Sequence, residues 1–154
     1  MPYKFEQLEV WKLALDYLDL IYRLVENLPR SEEYNLKSQI TRAATSIALN
    51  IAEGSQGQSD AEQARFLGMA IRSLIETVAC QQIIRRRGYF QDESLLNIAY
   101  EHSQILARKL QSFRKSISPY QVKEESTLYK RKTCPSRISL SIVNGQSSFF
   151  ITNG

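Results

Sequence analysis

The spacing of apolar residues constrains this chain more than any other feature. Leu8, Trp11, Leu15, Leu18, Tyr22 and Val25 recur at alternating steps of three and four. That is the seam of a helix packed in a bundle. Ala14, Ile21 and Leu28 widen the stripe, while Lys12, Asp16, Asp19, Arg23 and Glu26 take the other faces. Pro29 ends the segment, because proline lacks the amide donor and disfavours helix in the residue before it. Ser31 then reads as an N-cap, with Glu32 and Glu33 complementing the helix dipole in the first turn.

The pattern repeats three more times. A second segment, about 32–53, places Leu36, Ile40, Ala43, Ile47 and Ile51 on one face, with small residues that let neighbouring backbones approach. Gly54 and Gly57 read as its stop. Ser59 or Asp60 caps a third segment, about 61–87, striped by Ala64, Leu67, Ile71, Leu74 and Val78. Gly88 ends it, and Tyr89 and Phe90 fold back as an apolar plug. The fourth, about 92–117, carries Leu95, Ala99, His102, Leu106, Lys109 or Leu110, and Phe113, and stops at Pro119.

Helices of this length run roughly 30–40 Å at 1.5 Å per residue. Short turns between them leave consecutive helices little choice but to lie antiparallel. The expected fold is therefore all-α: an up-down-up-down antiparallel four-helix bundle over residues 1–117. Its expected core includes Leu8, Trp11, Leu15, Leu18, Ile40, Ile47, Leu67, Leu74, Leu106 and Phe113. No period-two alternation occurs before residue 130, which excludes an α/β nucleotide-binding fold.

Residues 118–154 are a different kind of text: no alanine against eleven in the body, and seven serines. This reads as an irregular tail. Ile138, Leu140 and Ile142 alternate with serines before Asn144-Gly145, a turn dipeptide, and Phe149 and Ile151 follow. A hairpin over 138–151 is the alternative to disorder, although an isolated two-stranded hairpin is marginal in water.

No apolar run approaches the length of a membrane span, and the start of the chain does not resemble a signal peptide. Two cysteines, Cys80 and Cys134, form neither a disulfide framework nor a zinc motif. A cytoplasmic protein without membrane association is the expectation.

Enzyme signatures are missing: no phosphate loop, no dinucleotide glycine motif, no His-Glu-x-x-His. The lone histidine, His102, reads as a packed or interface residue, and Cys80 as a buried thiol. No metal site, cofactor or catalytic activity is expected.

Charge is the remaining lead. Of the formal net +4, residues 1–117 hold 15 Lys/Arg against 14 Asp/Glu, a net of +1, and the tail supplies +3. Local clusters therefore matter more than the total. Arg85, Arg86 and Arg87 end the third helix, where the dipole already favours cations. Arg65 and Arg72, seven apart, share one stripe of that helix. With a turn near residue 56 or 57, Arg42 of the second helix falls opposite Arg72. This mid-bundle group suits a phosphate-contacting surface or a salt-bridge row between subunits with Glu53, Glu62 or Glu76. Glu53 sits at a helix end where the dipole disfavours an acid. It reads either as a surface glutamate or as the partner of an arginine from another helix or subunit.

Several runs carry a resemblance. Phe5-Glu6-Gln7-Leu8-Glu9-Val10-Trp11, Leu36 through Ile47, and Asn50-Ile51-Ala52-Glu53-Gly54 are similar to the bacterial four-helix-bundle proteins encoded in 23S rRNA intervening sequences. Phe66-Leu67 through Ser73-Leu74 and Gly88-Tyr89-Phe90 continue it in register, and the run from Arg42 to Gly54 is its most specific part. Accessory variability determinants of diversity-generating retroelements resemble the chain at the level of the fold. The resemblance implies a protomer commonly assembled as a homopentamer, with Asn50, Glu53 and Gly54 as motif or interface positions. From the accessory proteins it implies a basic surface for RNA or DNA and a reverse transcriptase partner. The chain departs from the family pattern at Arg72, where a small residue is usual, and at Val78, where a second acid is usual.

The expected function is thus a non-enzymatic, oligomeric, nucleic-acid-associated bundle. Arg42, Arg65, Arg72, Arg85, Arg86 and Arg87 are its candidate phosphate contacts. The alternative is a structural or adaptor bundle that binds another protein and no nucleic acid.

Overall fold

Four helices carry the chain back and forth: α1 (Glu9–Glu26), α2 (Ser38–Ser55), α3 (Asp60–Arg87) and α4 (Ser94–Ile117). The structure is a computed structural model and describes residues 2–57 and 59–117. The tail and its expected hairpin lie outside the described residues. Each helix packs on the next, and α1 closes the ring against α4. Cross-helix bonds give the directions: Ser46 meets Ser73, Arg85 meets Glu93, and Lys109 meets Glu9. Early residues of one helix face late residues of its neighbour, so the bundle is antiparallel and up-down-up-down. No described helix is long and apolar enough to cross a membrane.

The core seam of α1 differs from the expected one. Val10, Ala14, Tyr17, Ile21, Leu24 and Leu28 are buried, whereas Leu15 is 39% exposed and Tyr22 47%. Leu8, Trp11, Leu18 and Val25 pack half-buried against the core edge. α1 therefore carries two adjacent seams of similar spacing, and the bundle centres on the one holding Ala14 and Tyr17. Tyr17 can enter the core because its hydroxyl is satisfied there. It accepts from Gln81 Nε2 at 2.7 Å and donates to Thr77 Oγ1 at 2.7 Å, whose own proton goes to the Leu74 carbonyl at 2.7 Å. Burial dominates that environment and pushes the phenol up to about 12.

The same rotation affects the other stripes. In α3 the buried positions include Ala70 and Thr77, while Ile71 and Val78 are half-buried; in α4 they include Leu96 and Ser103, while Leu95, His102 and Phe113 are half-buried. Cys80 is a free, buried thiol, as expected, and burial raises its pKa.

Helix ends follow local chemistry. Ser59 caps α3, accepting from the Glu62 amide at 3.2 Å, and Gly88 ends it in the left-handed region at φ 66°. The entry to α2 departs from expectation. A 3-10 turn (Arg30–Glu32) and one π turn (Glu33–Lys37) precede it, and Glu32 rather than Ser31 caps the segment, accepting from the Leu36 amide. Gly54 does not stop α2; it lies inside the last turn, and Gln56 is the C-cap. Its role is close approach: a Cβ at Gly54 would come within 2.7 Å of Phe66 Cβ on α3.

Candidate nucleic-acid interface

The path of α2 through Gly54 decides where the arginines lie. The cross-helix pairs Arg42–Glu76 and Ser46–Ser73 set the α2–α3 register about one helical turn away from that of a hairpin centred at residue 57. Arg42 consequently faces Glu76, not Arg72. Its Nη2 is 3.7 Å from Glu76 Oε1 and donates to Gln39 Oε1 at 3.0 Å, while Gln39 donates to the same Glu76 at 2.5 Å. An arginine engaged within its own protomer is a helix clasp before it is a phosphate contact.

Two of the three arginines that end α3 are also engaged. Arg85 Nε donates to Glu93 Oε2 at 3.1 Å and Nη2 to Asn97 Oδ1 at 2.6 Å, which ties α3 to the start of α4. Arg87 Nε donates to Tyr89 Oη at 3.2 Å, with its guanidinium 5.8 Å from that ring. Tyr89 in turn donates to the buried Glu32 carboxylate at 2.5 Å. That phenol hydrogen bond, ahead of every other influence, holds the Glu32 carboxyl below the usual glutamate range. Tyr89 and Phe90 pack half-buried on the core, as expected of the plug.

Arg65, Arg72 and Arg86 behave differently. All three are exposed, and among the described residues none has a carboxylate within ion-pair distance. Their positions differ by multiples of seven, so they share one outer stripe of α3 with Ala79. The Arg65 guanidinium lies against its neighbour, 5.6 Å from the Phe66 ring centre.

The motif residues divide in the same way. Asn50 is 8% exposed and donates to the Ser46 carbonyl at 2.7 Å and to Ser46 Oγ at 3.0 Å; Ser46 Oγ lies 2.9 Å from Ser73 Oγ. With Gly54 against Phe66, this run is part of the surface on which α2 meets α3. Glu53 is exposed, and its carboxylate has no partner among the described residues. It borders an open groove of about 640 Å3 along the outside of α2, with Arg42, Thr45, Leu49, Asn50 and Met69. A second groove of about 540 Å3, between α1 and α2, shares Ser38 and Thr41 with the first and adds Tyr22, Val25 and Tyr34. Tyr34, on the π turn, is 98% exposed.

Arg114 belongs to a basic group, Arg108, Lys109, Arg114 and Lys115, that the sequence places in the last two turns of the fourth helix, where the dipole alone favours cations; its contact with α3 was not expected. Its Nε donates to the Ala64 carbonyl at 3.1 Å, and its guanidinium lies across α3 at Gly68. A glycine in the middle of a long helix is the signal that marks such a contact.

Among the described residues no group of three or more His, Cys, Asp or Glu side chains is placed to hold a metal ion. The chemistry on view is ion pairing and packing.

Known proteins fit this picture. The crystal structure of a protein of unknown function from the S23 ribosomal protein family of Bacteroides thetaiotaomicron VPI-5482 superposes with a TM-score of 0.63. It is 28% identical, over 69% of this chain and 98% of its own. No curated protein matches the chain. Residues 6–112 match the family model described as 23S rRNA-intervening sequence protein, which spans α1 to most of α4, and the chain belongs to that family.

Proposed function

We propose that this protein is a non-enzymatic, oligomeric bundle of the bacterial cytoplasm that associates with nucleic acid through the outer stripe of α3. The observation that carries this reading is the unsatisfied set Arg65, Arg72 and Arg86. Exposed arginines without carboxylate partners hold a positive potential that phosphates neutralise, releasing counterions. One stripe offers three such charges; several copies in a closed assembly multiply them, and avidity follows without new contacts.

Self-association has its own support in exposed apolar residues along α1 and α2 that reach the edge of α3. Leu15, Tyr22, Tyr34, Leu49 and Met69 are exposed on α1, on α2 or its entry turn, and at the α3 edge. The half-used second seam of α1 and the contiguous grooves along α2 give that side an apolar character suited to another copy of the chain. Glu53, which has no arginine partner among the described residues, lies on this side. A pentamer is the assembly the family resemblance implies.

The rival reading, an adaptor for another protein, draws on Ile98 and Ile105. They lie seven apart on α4 and are 44% and 39% exposed. Fluorescence polarisation with labelled RNA and DNA at two salt concentrations separates the two readings. The full chain should bind, more tightly at low salt, and Arg65→Glu with Arg72→Glu should abolish binding while light scattering reports an unchanged assembly. Truncation after Ile117 is the control. Loss of binding on truncation, with survival of the arginine reversal, would place the activity in the tail; no binding at either salt would favour the adaptor.

A further inference from the structure

The outer stripe of α3 has a spacing as well as a charge. Arg65, Arg72 and Arg86 are exposed and stand on one continuous helix. At 1.5 Å rise per residue, their intervals along the axis are about 10.5 and 21 Å, or about 31.5 Å from end to end. Each step of seven residues drifts by about 20° around the axis, so all three stay within about 60° of arc. The acid one turn beyond Arg72, Glu76, is turned to Arg42 and Gln39 of α2 and makes no ion pair with the stripe.

Between the second and third cations the stripe carries no charge. Ile75, Ala79 and Ile83 stand there, and the two isoleucines are 64% and 47% exposed. None of the exposed positions along the stripe is aromatic.

These two features discriminate between forms of nucleic acid. Sequence-tolerant binding of a single strand draws on aromatic side chains that stack its bases, and this stripe offers none. A double helix presents its phosphates in another way. Along a line parallel to its axis, phosphate ridges are separated alternately by a narrow and a wide groove. In B-form DNA the grooves are about 6 and 12 Å wide and one turn is about 34 Å long. A-form RNA also alternates a narrow groove with a wide one. The narrow gap fits between Arg65 and Arg72 and the wide one between Arg72 and Arg86. The third ridge then lies one turn beyond the first, and the length of the arginine side chains takes up the remaining mismatch.

We propose that the stripe binds a double helix lying along α3, with Arg65, Arg72 and Arg86 on three successive phosphate ridges. This deepens the nucleic-acid reading above and rests on it. Ile75, Ala79 and Ile83 lie over the wide groove, where an uncharged stretch forfeits no phosphate contact.

The test is a fluorescence anisotropy titration of the full-length chain with labelled duplexes of about two turns, one DNA and one RNA, and with their separated strands. At least one duplex should bind more than about tenfold tighter than its strands, and the tighter duplex identifies the source. Two variants of unchanged net charge then probe the spacing. Arg72→Ala/Ala79→Arg transposes the intervals to about 21 and 10.5 Å, which a double helix matches from its other end, so affinity should stay within about twofold. Arg72→Ala/Ile75→Arg makes them nearly equal, about 15 and 16.5 Å, and should weaken duplex binding about three- to tenfold at an unchanged thermal midpoint. Ile75→Gln alone should bind like wild type. Strands binding as tightly as duplexes, equal affinities for the two spacing variants, or an equal loss in Ile75→Gln would overturn the double-helix assignment. In those cases the nucleic-acid reading stands if Arg65→Glu/Arg72→Glu still abolishes binding. If wild type binds none of the probes, both fall together.

Discussion

The inner face of α2 and the outer stripe of α3 are both rich in polar residues, yet they differ in where their bonds close. On the α2 face, Asn50 is bonded to Ser46, Ser46 lies against Ser73, Arg42 reaches Glu76, and Gly54 sits under Phe66. Each of these bonds is completed by the same chain. On the α3 stripe, Arg65, Arg72 and Arg86 find no carboxylate among the described residues. The difference separates two meanings of a motif. The run from Arg42 to Gly54, the most specific part of the family resemblance, is a packing surface that makes the bundle. The arginines beyond it are exposed on the outside of the bundle and are not part of its packing.

Breaking the inner region should cost folding energy, and the largest effect is expected in the core behind it. Leu74 is 2% exposed, and Leu74→Ala should cost about 2–5 kcal/mol in chemical denaturation through lost burial and a residual cavity. Leu15→Ala, on the exposed seam, should change protomer stability far less and lower the oligomer mass in light scattering instead. Equal losses at the two leucines would mean that the α1 seam is assigned wrongly.

Gly54→Ala is expected next, at about 1–3 kcal/mol, since its new Cβ would push against Phe66 Cβ with no open space to take it. A neutral or stabilising result, the usual outcome of adding a methyl to an exposed helical glycine, would show that α2 and α3 can separate freely.

Tyr17→Phe tests the buried chain of hydroxyls. Gln81 is 1% exposed and its Oε1 has no partner among the described residues, so removing the phenol leaves its buried Nε2 without its acceptor. The expected cost is about 1–3 kcal/mol. Because burial raises the Tyr17 phenol from 10.0 to about 12, its contribution is complete below pH 10 and fades as pH rises through 12. Tyr17→Phe should flatten stability in that window.

The smallest effect concerns Glu32. Its carboxyl lies below its ordinary value of 4.5, chiefly because Tyr89 donates to it. That stabilisation is present above pH 4.5 and is lost as pH falls through the lower folded value. An acid titration followed by circular dichroism should show Glu32→Gln and Tyr89→Phe both shallower than wild type there, while the arginine stripe variants track wild type.

These outcomes also mark how far the residue pattern alone could go. Four helices, their order and most of their ends were legible, because breakers such as Pro29 and Gly88 act locally. Rotation about each helix axis was not. α1 presents two seams of equal regularity, and the choice between Leu15 and Tyr17 depends on Thr77 and Gln81, sixty residues away, being there to bond the phenol. Register was lost for a similar reason: Gly54 reads as a helix stop until Phe66 is seen above it, whereas α2 runs on to Ser55 and Glu76 takes the place of Arg72 opposite Arg42. Arg65, Arg72 and Arg86 were legible as cations. That they, and not Arg42 or Arg85, lack partners depends on the packing.

Most direct for the central claim is the salt dependence of nucleic-acid affinity, measured for wild type and for Arg65→Gln/Arg72→Gln/Arg86→Gln. If the stripe contacts phosphates, the slope of log affinity against log salt should flatten by about one unit per residue removed, three in all for each stripe engaged. Thermal midpoint and oligomer mass should stay at their wild-type values. An unchanged slope, or dissociation of the assembly by the same substitutions, would contradict the account and return these arginines to the role of structural ion pairs between subunits.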